Sequence, residues 1–314
     1  MKGINAVITG GAGFIGSNLA RTLAKDYNEI IVIDNLSTGS LKNIEDLIKN
    51  RKIRFIRGDI TNLRFLNKVF KDIDYVFHEA AVVSISKSIE DPVTTNNVNI
   101  GGTLNVLLAA RNNSVKKVVY ASSCAVYGDS SELPLKENMQ PKPLSSYAVS
   151  KLAGEHYCQL FSKLYGLPTV SLRYFNVYGM RQSPLIEYAA VIPRFITQVL
   201  NNKPPVIYGD GKQTRDFVFI EDVVHANVKA AETKVTGVFN IGSGKHVSIN
   251  DLAKLIIKIS DKQLNPIHSD PQPKDIKHSL ADVSKAREKL HYRPKTKLKN
   301  GLKETMKWFQ KMFE

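Results

Sequence analysis

The sequence of 314 residues carries 44 lysines and arginines against 29 aspartates and glutamates, a formal net charge of +15. Its basic residues are scattered rather than interleaved with aromatic residues, no apolar run reaches about 18 residues, and its two cysteines form no disulfide framework. No signal-peptide pattern follows Met1, so we expect a cytoplasmic protein that binds neither nucleic acid nor membrane and holds no metal.

The first predicted elements are a strand, a glycine-rich turn and a helix. The apolar run at 4–9 predicts a buried strand, and helical periodicity begins near 17–25. Glycines at this spacing permit a tight turn, close approach of a pyrophosphate and close packing of helix on strand. The sequence therefore predicts a dinucleotide cradle at Gly10, Gly13, Phe14, Ile15 and Gly16.

A second predicted strand, at 30–33, ends at Asp34, about 20 residues beyond the glycines. A carboxylate there accepts hydrogen bonds from the hydroxyl groups of the adenosine ribose and repels a 2′-phosphate. No arginine follows to bind such a phosphate, so we expect NAD rather than NADP. The alternative is a turn residue that only ends the strand. The predicted contacts of this segment are Asp34, Asn35, Leu36, Ser37, Thr38 and Gly39.

Strands and helices alternate along the next part of the chain. Further strands are predicted at 53–56, 75–77, 117–120 and 169–173. Helices are predicted at 63–70, 93–112 and 147–165. This alternation predicts an α/β fold with a Rossmann-type, doubly wound parallel sheet.

The proline distribution divides the chain into two predicted domains. Residues 1–175 form the dinucleotide-binding domain, and the less regular residues 176–314 form a smaller mixed α/β lobe. Parts of 215–242, including the apolar stretches at 217–224 and 238–241, are expected to return to the first domain. Residues 129–145 contain three prolines and predict a loop long enough to arch over a site.

Tyr147 and Lys151 lie four residues apart, so they share one face of the predicted helix. A phenol titrates near 10 and needs a neighbouring cation to act as a base at neutral pH. One positive charge about 6 Å away lowers its pKa by about two units at an effective dielectric of about 20. Ser123 lies at the predicted end of the fifth strand, at the edge where parallel sheets bind ligands. The alternative for Tyr147 and Lys151 is an ordinary amphipathic helix face.

Several short motifs have the order and spacing found in one known protein family. They lie at 10–16, 34–36, 58–60, 78–81, 122–128, 147–151, 172–176, 215–217 and 278–282. On these motifs the chain resembles an extended short-chain dehydrogenase/reductase of the UDP-glucose/UDP-N-acetylglucosamine 4-epimerase group, over essentially its whole length. The resemblance implies NAD, a UDP-sugar bound by residues 176–314, and a homodimer formed through the helices at 93–112 and 147–165. The further NAD contacts that it implies are Asp59, Ile60, Ala80, Ala81, Val82, Asn96, Tyr147, Lys151 and Phe175. His78 is interpreted as a structural residue.

The resemblance also implies a reaction. Tyr147, as a phenolate held by Lys151 and the positive nicotinamide ring, takes the proton of the sugar 4-hydroxyl, while Ser123 binds the reacting oxygen. Hydride leaves C4 for NAD, the 4-keto sugar turns, and hydride returns to its other face. The implied substrate contacts are Ser84, Ser123, Tyr147, Asn176, Ala190, Val191, Val206, Ile207, Tyr208, Arg215, Asp275 and Ser279.

Several alternatives remain open. Cys124 and Ala125 stand where dehydratases and decarboxylases of the superfamily carry Asp or Glu, which disfavours elimination. The small Ser279 favours N-acetylated hexoses beside UDP-glucose and UDP-galactose. An epimerase restricted to UDP-GlcNAc, or one for another nucleotide sugar, is the alternative enzyme, and a catalytically silent NAD sensor is the alternative of another class.

Individual site residues also have alternative interpretations. Arg215 is otherwise a surface partner of Asp216, and Ser84 is otherwise a helix cap. Relatives commonly carry Arg at the position of Gln272, and Lys274 is the candidate replacement.

Overall fold

Seven parallel strands form the central sheet of the protein, for which a computed structural model describes residues 3–184, 190–271 and 276–313. In these ranges the strands are β1 Asn5–Thr9, β2 Glu29–Asp34, β3 Arg54–Arg57, β4 Tyr75–His78, β5 Lys117–Ser123, β6 Thr169–Tyr174, β7 Asn176–Tyr178, β8 Val206–Tyr208, β9 Thr214–Phe219, β10 Gly237–Ile241, β11 His246–Ser248 and β12 Ile267–Ser269. The helices are α1 Phe14–Leu23, α2 Glu45–Lys49, α3 Leu63–Val69, α4 Ile85–Glu90, α5 Pro92–Asn96, α6 Gly102–Asn112, α7 Ser146–Tyr165, α8 Val191–Leu200, α9 Ile220–Glu232, α10 Ile249–Ser260, α11 Ser284–Lys289 and α12 Leu298–Phe313.

The central sheet has the strand order β10-β6-β5-β4-β1-β2-β3. From β1 the chain adds β2 and β3 on one side and then β4, β5 and β6 on the other, so the direction of winding reverses between β1 and β4. The carboxyl ends of strands at such a reversal form the crevice in which open parallel sheets bind ligands. The predicted doubly wound parallel sheet is therefore confirmed.

Alternating side chains of the strands build two core layers. Ile8 of β1 packs with α1 and α9 on one face of the sheet. Val7 packs with α3, α6 and α7 on the other face. Both side chains are fully buried, as expected for a parallel sheet covered by helices on both sides.

The second lobe holds smaller sheets in the described part of the chain, one of β11, β9 and β7 and one of β12 and β8. The stretch at 217–224 spans the end of β9 and the start of α9, and α9 packs against the main sheet as a helix. The stretch at 238–241 lies in β10, which pairs in parallel with β6 at the edge of the main sheet.

The helix predicted at 93–112 contains an irregularity. It starts at Pro92, with the Asp91 carboxylate accepting a hydrogen bond from the Thr94 N–H at 2.9 Å, and a π-helical turn at Asn97–Gly101 joins α5 to α6. A π turn inserts an extra residue and changes which side chains face inward. Here it accompanies the burial of Asn99.

Residues 129–145 form the predicted loop, but they line neither of the two cavities described below. The loop packs against the second lobe instead: the Leu135 N–H donates to the Leu280 carbonyl at 2.8 Å, and the Asp282 N–H donates to the Leu135 carbonyl at 2.9 Å. The expectation that this loop arches over the site is wrong for these residues.

No helix within the described ranges has the length and apolar character needed to span a membrane.

Candidate active site

A cavity of about 1650 Å³ lies at the carboxyl ends of the strands, where the sheet reverses between β1 and β4. Residues after β1, β3 and β4 and at the ends of β2, β5 and β6 form one wall. Residues of the second lobe form the other, including Trp308 and Met312 of α12. The ends of these strands therefore bring the predicted cofactor motifs to one cavity.

The glycine-rich turn is packed too tightly for larger side chains at two positions. A Cβ atom at Gly10, where φ is +67°, would lie 2.7 Å from backbone atoms of Ala80, and one at Gly16 would lie 2.4 Å from the Gly10 carbonyl oxygen. α1 begins directly after Gly13, which provides no side-chain cap among the described residues. The N–H groups of the first turn of α1 thus lie at the wall of the cavity, where they favour the binding of a diphosphate.

We expect Gly16→Ala to lower the free energy of unfolding by about 1–3 kcal/mol, because the added methyl group must displace backbone. It should also lower the NAD content of the purified protein. Gly101→Ala is the matched control: a Cβ atom there meets nothing within 4 Å, and we expect unchanged NAD content. Urea unfolding and dinucleotide analysis check both variants. Equal behaviour of the two would contradict the steric argument.

Asp34 combines a structural contact with exposure to the cavity. Its Oδ2 accepts a hydrogen bond from the Ala12 N–H at 3.0 Å and its Oδ1 accepts one from the Leu36 N–H at 2.8 Å. Burial raises the pKa of this carboxyl, and the two backbone hydrogen bonds oppose the rise. Each oxygen retains a lone pair, so the carboxylate that orders the loop can also accept ribose hydroxyls.

Asp59 connects the ends of two strands. Its Oδ1 accepts hydrogen bonds from the Thr61 N–H at 2.8 Å and the Thr61 hydroxyl at 2.7 Å, and its Oδ2 accepts one from Asn35 Nδ2 at 2.8 Å. The turn after β3 is thereby held against the loop after β2. Both loops line the part of the cavity predicted to bind the adenosine.

Tyr147 and Lys151 occupy the first turns of α7, where the Ser145 hydroxyl caps the helix by accepting the Ala148 N–H at 3.1 Å. Lys151 is buried and its Nζ donates to the Ala121 carbonyl of β5 at 2.7 Å. That nitrogen lies 5.9 Å from the centre of the Tyr147 ring. The predicted pair therefore shares one side of the helix, next to Ser123 at the end of β5.

Burial changes the electrostatics expected for this pair. Burial raises the pKa of Tyr147 to about 12, although a hydrogen bond with Ser123 opposes the rise. Burial also lowers the pKa of Lys151 to about 8. The two-unit depression expected from a lone cation is thus outweighed in the ligand-free protein. Tyr147 is a protonated phenol there at neutral pH, and its ionisation requires additional positive charge.

The cavity gathers most of the predicted cofactor contacts. Those that line it are Gly10, Gly13, Phe14, Ile15, Gly16, Asp34, Asn35, Ser37, Thr38, Asp59, Ile60, Ala80, Ala81, Val82, Tyr147 and Phe175. Leu36, Gly39 and Lys151 lie behind this surface.

Asn96 requires a correction, because it is exposed and does not line the cavity. The buried Asn99 is the asparagine that orders the cofactor loop. Its Oδ1 accepts the Val82 N–H at 2.8 Å and its Nδ2 donates to the Val82 carbonyl at 3.0 Å. Thr95 and Asn99 are both buried, so Asn96 lies beside the inward-facing positions of the helix rather than among them.

Predicted substrate contacts divide between the large cavity and an adjoining one of about 230 Å³. Ser84, Ser123, Tyr147, Asn176 and Ala190 line the first, and Asn176, Ala190, Val191, Tyr208 and Arg215 line the second. The Ser84 hydroxyl also caps α4 by accepting the Lys87 N–H at 3.2 Å, so its capping role is observed and its contact with the sugar stays a prediction. Asp275, Gln272 and Lys274 lie outside the described residues.

Val206 and Ile207 do not line either cavity. The Val206 N–H donates to Gln198 Oε1 at 3.2 Å, and the Val206 carbonyl accepts from Arg194 Nη2 at 3.2 Å, so these groups are already bonded. Neither residue is thus brought to the wall of these cavities, and their implied contact with the substrate stays a prediction. Arg194, which the sequence analysis missed, lies 4.6 Å from the centre of the Tyr208 ring and lines the smaller cavity.

Residues near the site with alternative interpretations have structural contacts. The Asp216 carboxylate is buried and accepts hydrogen bonds from the Ser243, Gly244 and Ala281 N–H groups. It therefore anchors the turn after β10 rather than forming a surface pair with Arg215.

Three small polar side chains near the site are also packed inside the protein. Ser279 is buried beside Cys124, and burial raises the pKa of the Cys124 thiol to about 12. His78 is buried between Thr9 and Thr103, and burial lowers its pKa to about 3. Its predicted structural role agrees with these contacts.

The cavity lining also includes charged residues to which the sequence analysis gave no role, among them Arg181 and Glu79. Arg181, in the second lobe, donates from Nη1 to Asn18 Oδ1 of α1 at 2.7 Å. Burial and the nearby Arg21 lower its pKa to about 10, so it remains a cation beside the predicted diphosphate site. Glu79, after β4, faces the same space as Ser123 and Tyr147. Arg181 belongs to no motif found in the sequence, and Glu79 lies in the motif at 78–81 but received no role there.

Comparisons with known proteins agree with this arrangement. A model of the NAD dependent epimerase/dehydratase family matches residues 6–242. A putative UDP-glucose 4-epimerase of Methanocaldococcus jannaschii is 40% identical over 306 residues, which cover 97% of this chain and 98% of the relative.

Solved structures of UDP-sugar 4-epimerases are also similar to this chain. The UDP-N-acetylglucosamine 4-epimerase of Methanobrevibacter ruminantium, in complex with UDP-N-acetylmuramic acid, superposes with a TM-score of 0.96 at 42% identity, covering 99% of this chain and 100% of the other. The UDP-glucose 4-epimerase of Thermotoga maritima, with UDP-glucose, has a TM-score of 0.94 at 37% identity, with coverage of 99% and 100%.

Proposed function

The chain belongs to the NAD-dependent epimerase/dehydratase family, and on that premise we propose that this UDP-sugar 4-epimerase interconverts UDP-glucose with UDP-galactose and UDP-GlcNAc with UDP-GalNAc. It is an isomerase that uses NAD. The observation that carries the proposal is the meeting of Ser123, Tyr147 and the glycine-rich cradle in one cavity, with Lys151 directly behind Tyr147. A dinucleotide and a sugar hydroxyl can both reach these groups there.

The residues present fit NAD. The cradle at Gly10–Gly16 leaves no room for side chains at its closest contacts, the N-terminus of α1 suits the diphosphate, and Asp34 suits the ribose hydroxyls. Arg181 is a further candidate for the diphosphate. When bound, NAD supplies the reversible oxidation of the sugar at C4.

Tyr147 acts as the base and then as the acid. It accepts the proton of the 4-hydroxyl as C4 is oxidised and returns it when the keto group is reduced. Ser123 donates a hydrogen bond to the reacting oxygen. Lys151 supplies positive charge close to the phenol, and the charge of the oxidised nicotinamide ring adds to it, which offsets the burial that raises the pKa of Tyr147.

The smaller cavity is proposed to bind the uridine diphosphate. Arg215 and Arg194 bring positive charge to its wall and Tyr208 offers a ring face for the base. The hexose then lies toward Ser123 and Tyr147, in a space large enough for the keto sugar to turn. The resemblance associates the small Ser279 with acceptance of N-acetyl groups beside plain hexoses; its side chain is buried and lines neither described cavity.

Two alternatives, an enzyme that catalyses an elimination and a catalytically silent NAD sensor, have less support than a 4-epimerase. Cys124 and Ala125 provide no carboxyl group after Ser123, so an elimination lacks its acid and base. A catalytically silent NAD sensor has no use for a phenol beside the cradle.

Incubation with a panel of UDP-sugars, without added NAD, tests the proposal. We expect 4-epimers of both plain and N-acetylated UDP-hexoses. Turnover of N-acetylated sugars alone would establish the restricted alternative, and bound NAD without any turnover would establish the sensor.

We further propose a homodimer formed through α4, α5 and α7. These helices pack against one another and carry large apolar side chains that are exposed in the single chain. They are Ile85, Ile89, Val93, Val149, Leu160, Leu164 and Tyr165. Such a cluster of apolar side chains is typical of a protein interface.

We expect Leu164→Asp to convert the dimer to a monomer, because Leu164 is 60% exposed in the single chain and its replacement puts a charge into the interface. Leu41→Asp, at an exposed site away from these helices, is the matched control. Light scattering measures the mass of each variant. A monomeric wild type would contradict the proposal.

A further inference from the structure

Glu79 is an acidic residue of the reaction cavity for which the proposed mechanism has no role. It directly follows β4 and lines the same cavity as Ser123, Tyr147 and Phe175. Its Oε1 accepts a hydrogen bond from the Tyr174 hydroxyl at 2.9 Å. Among the described residues, no lysine, arginine or histidine forms an ion pair with it.

Buried hydrogen bonds connect Glu79 with Tyr174 and Asn227. Asn227 of α9 donates from Nδ2 to the Val223 carbonyl at 3.0 Å and to the Tyr174 hydroxyl at 2.8 Å. Tyr174 accepts this hydrogen bond, and its own hydroxyl proton can be donated to Glu79 Oε1 at 2.9 Å or to Asn227 Oδ1 at 3.0 Å. Asn227 and Tyr174 are both buried, so packing fixes the arrangement. A donated hydrogen bond of this kind stabilises the carboxylate form.

The groups around Glu79 come from three elements. Tyr147 and Lys151 face it from α7, Tyr174 from β6, and His78 precedes it in β4. Burial raises the pKa of Glu79 to about 7, against the hydrogen bond from Tyr174 and the charge of Lys151. Its carboxylate contributes in turn to the raised pKa of Tyr147. His78 stays neutral, so Glu79 and Lys151, whose pKa is about 8, are the groups here whose charges change near neutral pH.

We propose that Glu79 balances charge in this cavity: its carboxylate favours the oxidised, positively charged nicotinamide over the reduced ring and restrains ionisation of Tyr147. The inference rests on the proposed function, since NAD must occupy the cavity. With oxidised NAD bound, Lys151 and the ring contribute two positive charges, and the Tyr147 phenolate and Glu79 contribute two negative ones. Removal of Glu79 leaves an excess positive charge in a confined space, which favours the uncharged, reduced ring.

The preference of the protein for NAD⁺ over NADH measures this effect without turnover. Holoprotein is equilibrated with NAD⁺ and NADH at a known ratio, freed of unbound dinucleotide, and its bound dinucleotide is quantified. Tyr147→Phe serves as the background, because it removes the titration of the phenol. At about pH 7.5, we expect Glu79→Gln to lower the bound NAD⁺ to NADH ratio about tenfold, equivalent to about 30 mV for a two-electron couple.

The pH dependence of the bound NAD⁺ to NADH ratio shows in which direction the charge of Glu79 acts. In the Tyr147→Phe background, the preference for NAD⁺ should weaken as the pH falls and Glu79 takes up a proton, whereas the Glu79→Gln double variant should show only the smaller change caused by Lys151. The measurements run from about pH 7.5 downward, because Lys151, with a pKa of about 8, is about one quarter uncharged at pH 7.5 and less than about one tenth uncharged at pH 7. Equal ratios in the two proteins, or the same pH dependence, would overturn the inference.

Tyr174→Phe keeps the carboxylate and removes the hydrogen bond that stabilises it. We expect it to raise the pKa of Glu79 and shift the pH-dependent change in the ratio upward. A merely structural role of Glu79 would alter the affinity for both dinucleotides alike and produce no such shift. This variant also tests the inference if Glu79→Gln does not fold. Failure of the wild type to bind either dinucleotide would overturn the proposed function and the inference with it.

Discussion

Tyr147→Phe is expected to lower kcat for UDP-sugar epimerisation by about 10³-fold while the purified protein retains NAD. The substitution removes the hydroxyl that exchanges a proton with the sugar and leaves the aromatic ring that fills the cavity wall. The cradle at Gly10–Gly16 and Asp34 is unchanged, so dinucleotide binding persists. Single-turnover kinetics and the dinucleotide content of the same preparation separate the two effects.

Tyr157→Phe is the matched control for that experiment. Tyr157 lies on α7 as well, but it does not line either described cavity, and we expect turnover close to that of the wild type. If Tyr147→Phe also turned over at nearly the wild-type rate, the phenol would not be the acid and base of the reaction.

Glu155→Leu is expected to lower the free energy of unfolding by about 3–5 kcal/mol. Arg173 of β6 donates from Nε and Nη2 to the two carboxylate oxygens of Glu155 at 2.8 and 2.7 Å, and the Ser122 hydroxyl also donates to this carboxylate. The side chains of Arg173 and Glu155 are 4% and 1% exposed, so removal of one leaves the other buried without a partner. Urea unfolding measures the loss.

Two variants sharpen this test. Glu45→Ala breaks an ion pair with Lys49 in which the side chains are 55% and 71% exposed, and we expect a loss of no more than about 0.5 kcal/mol. The double variant Glu155→Leu with Arg173→Met should recover most of the stability, because no buried charge remains. A loss for Glu155→Leu as small as that for Glu45→Ala would contradict the argument.

This buried ion pair connects stability with the proposed chemistry. Glu155 lies one helical turn beyond Lys151 on α7, and Arg173 and Ser122 lie on the strands beneath. The pair thus holds α7 against the sheet at the level where Lys151 donates to the Ala121 carbonyl. We expect partial loss of this alignment in Glu155→Leu to lower kcat in addition to stability.

Local patterns in the sequence predict much of the fold and the proposed cofactor site. The glycine spacing at 10–16, the carboxylate at Asp34 and the helical spacing of Tyr147 and Lys151 each depend on residues close in sequence. Such patterns can be recognised in the sequence because each belongs to a single strand, turn or helix. The structure brings these motifs into one cavity at the reversal point of the sheet.

Features that depend on distant residues could not be predicted. The contact of Glu79 with Tyr174 spans 95 residues, and that of Arg181 with Asn18 spans 163. The raised pKa of Tyr147 depends on burial by several elements, which no pentapeptide reveals. The resemblance implied Asn96, whereas the structure shows that Asn99 is the buried asparagine that bonds the Val82 backbone.

The fate of the hydrogen on C4 tests the central claim of a hydride removed and returned within one cavity. UDP-glucose that carries deuterium at C4 is incubated in ordinary water with the protein and no added NAD, and the UDP-galactose formed is analysed by mass spectrometry and NMR. We predict that the label remains on C4, because hydride is held by the bound dinucleotide and does not exchange with solvent. Replacement of the label by solvent hydrogen would show that C4 loses a proton instead, which would contradict the account.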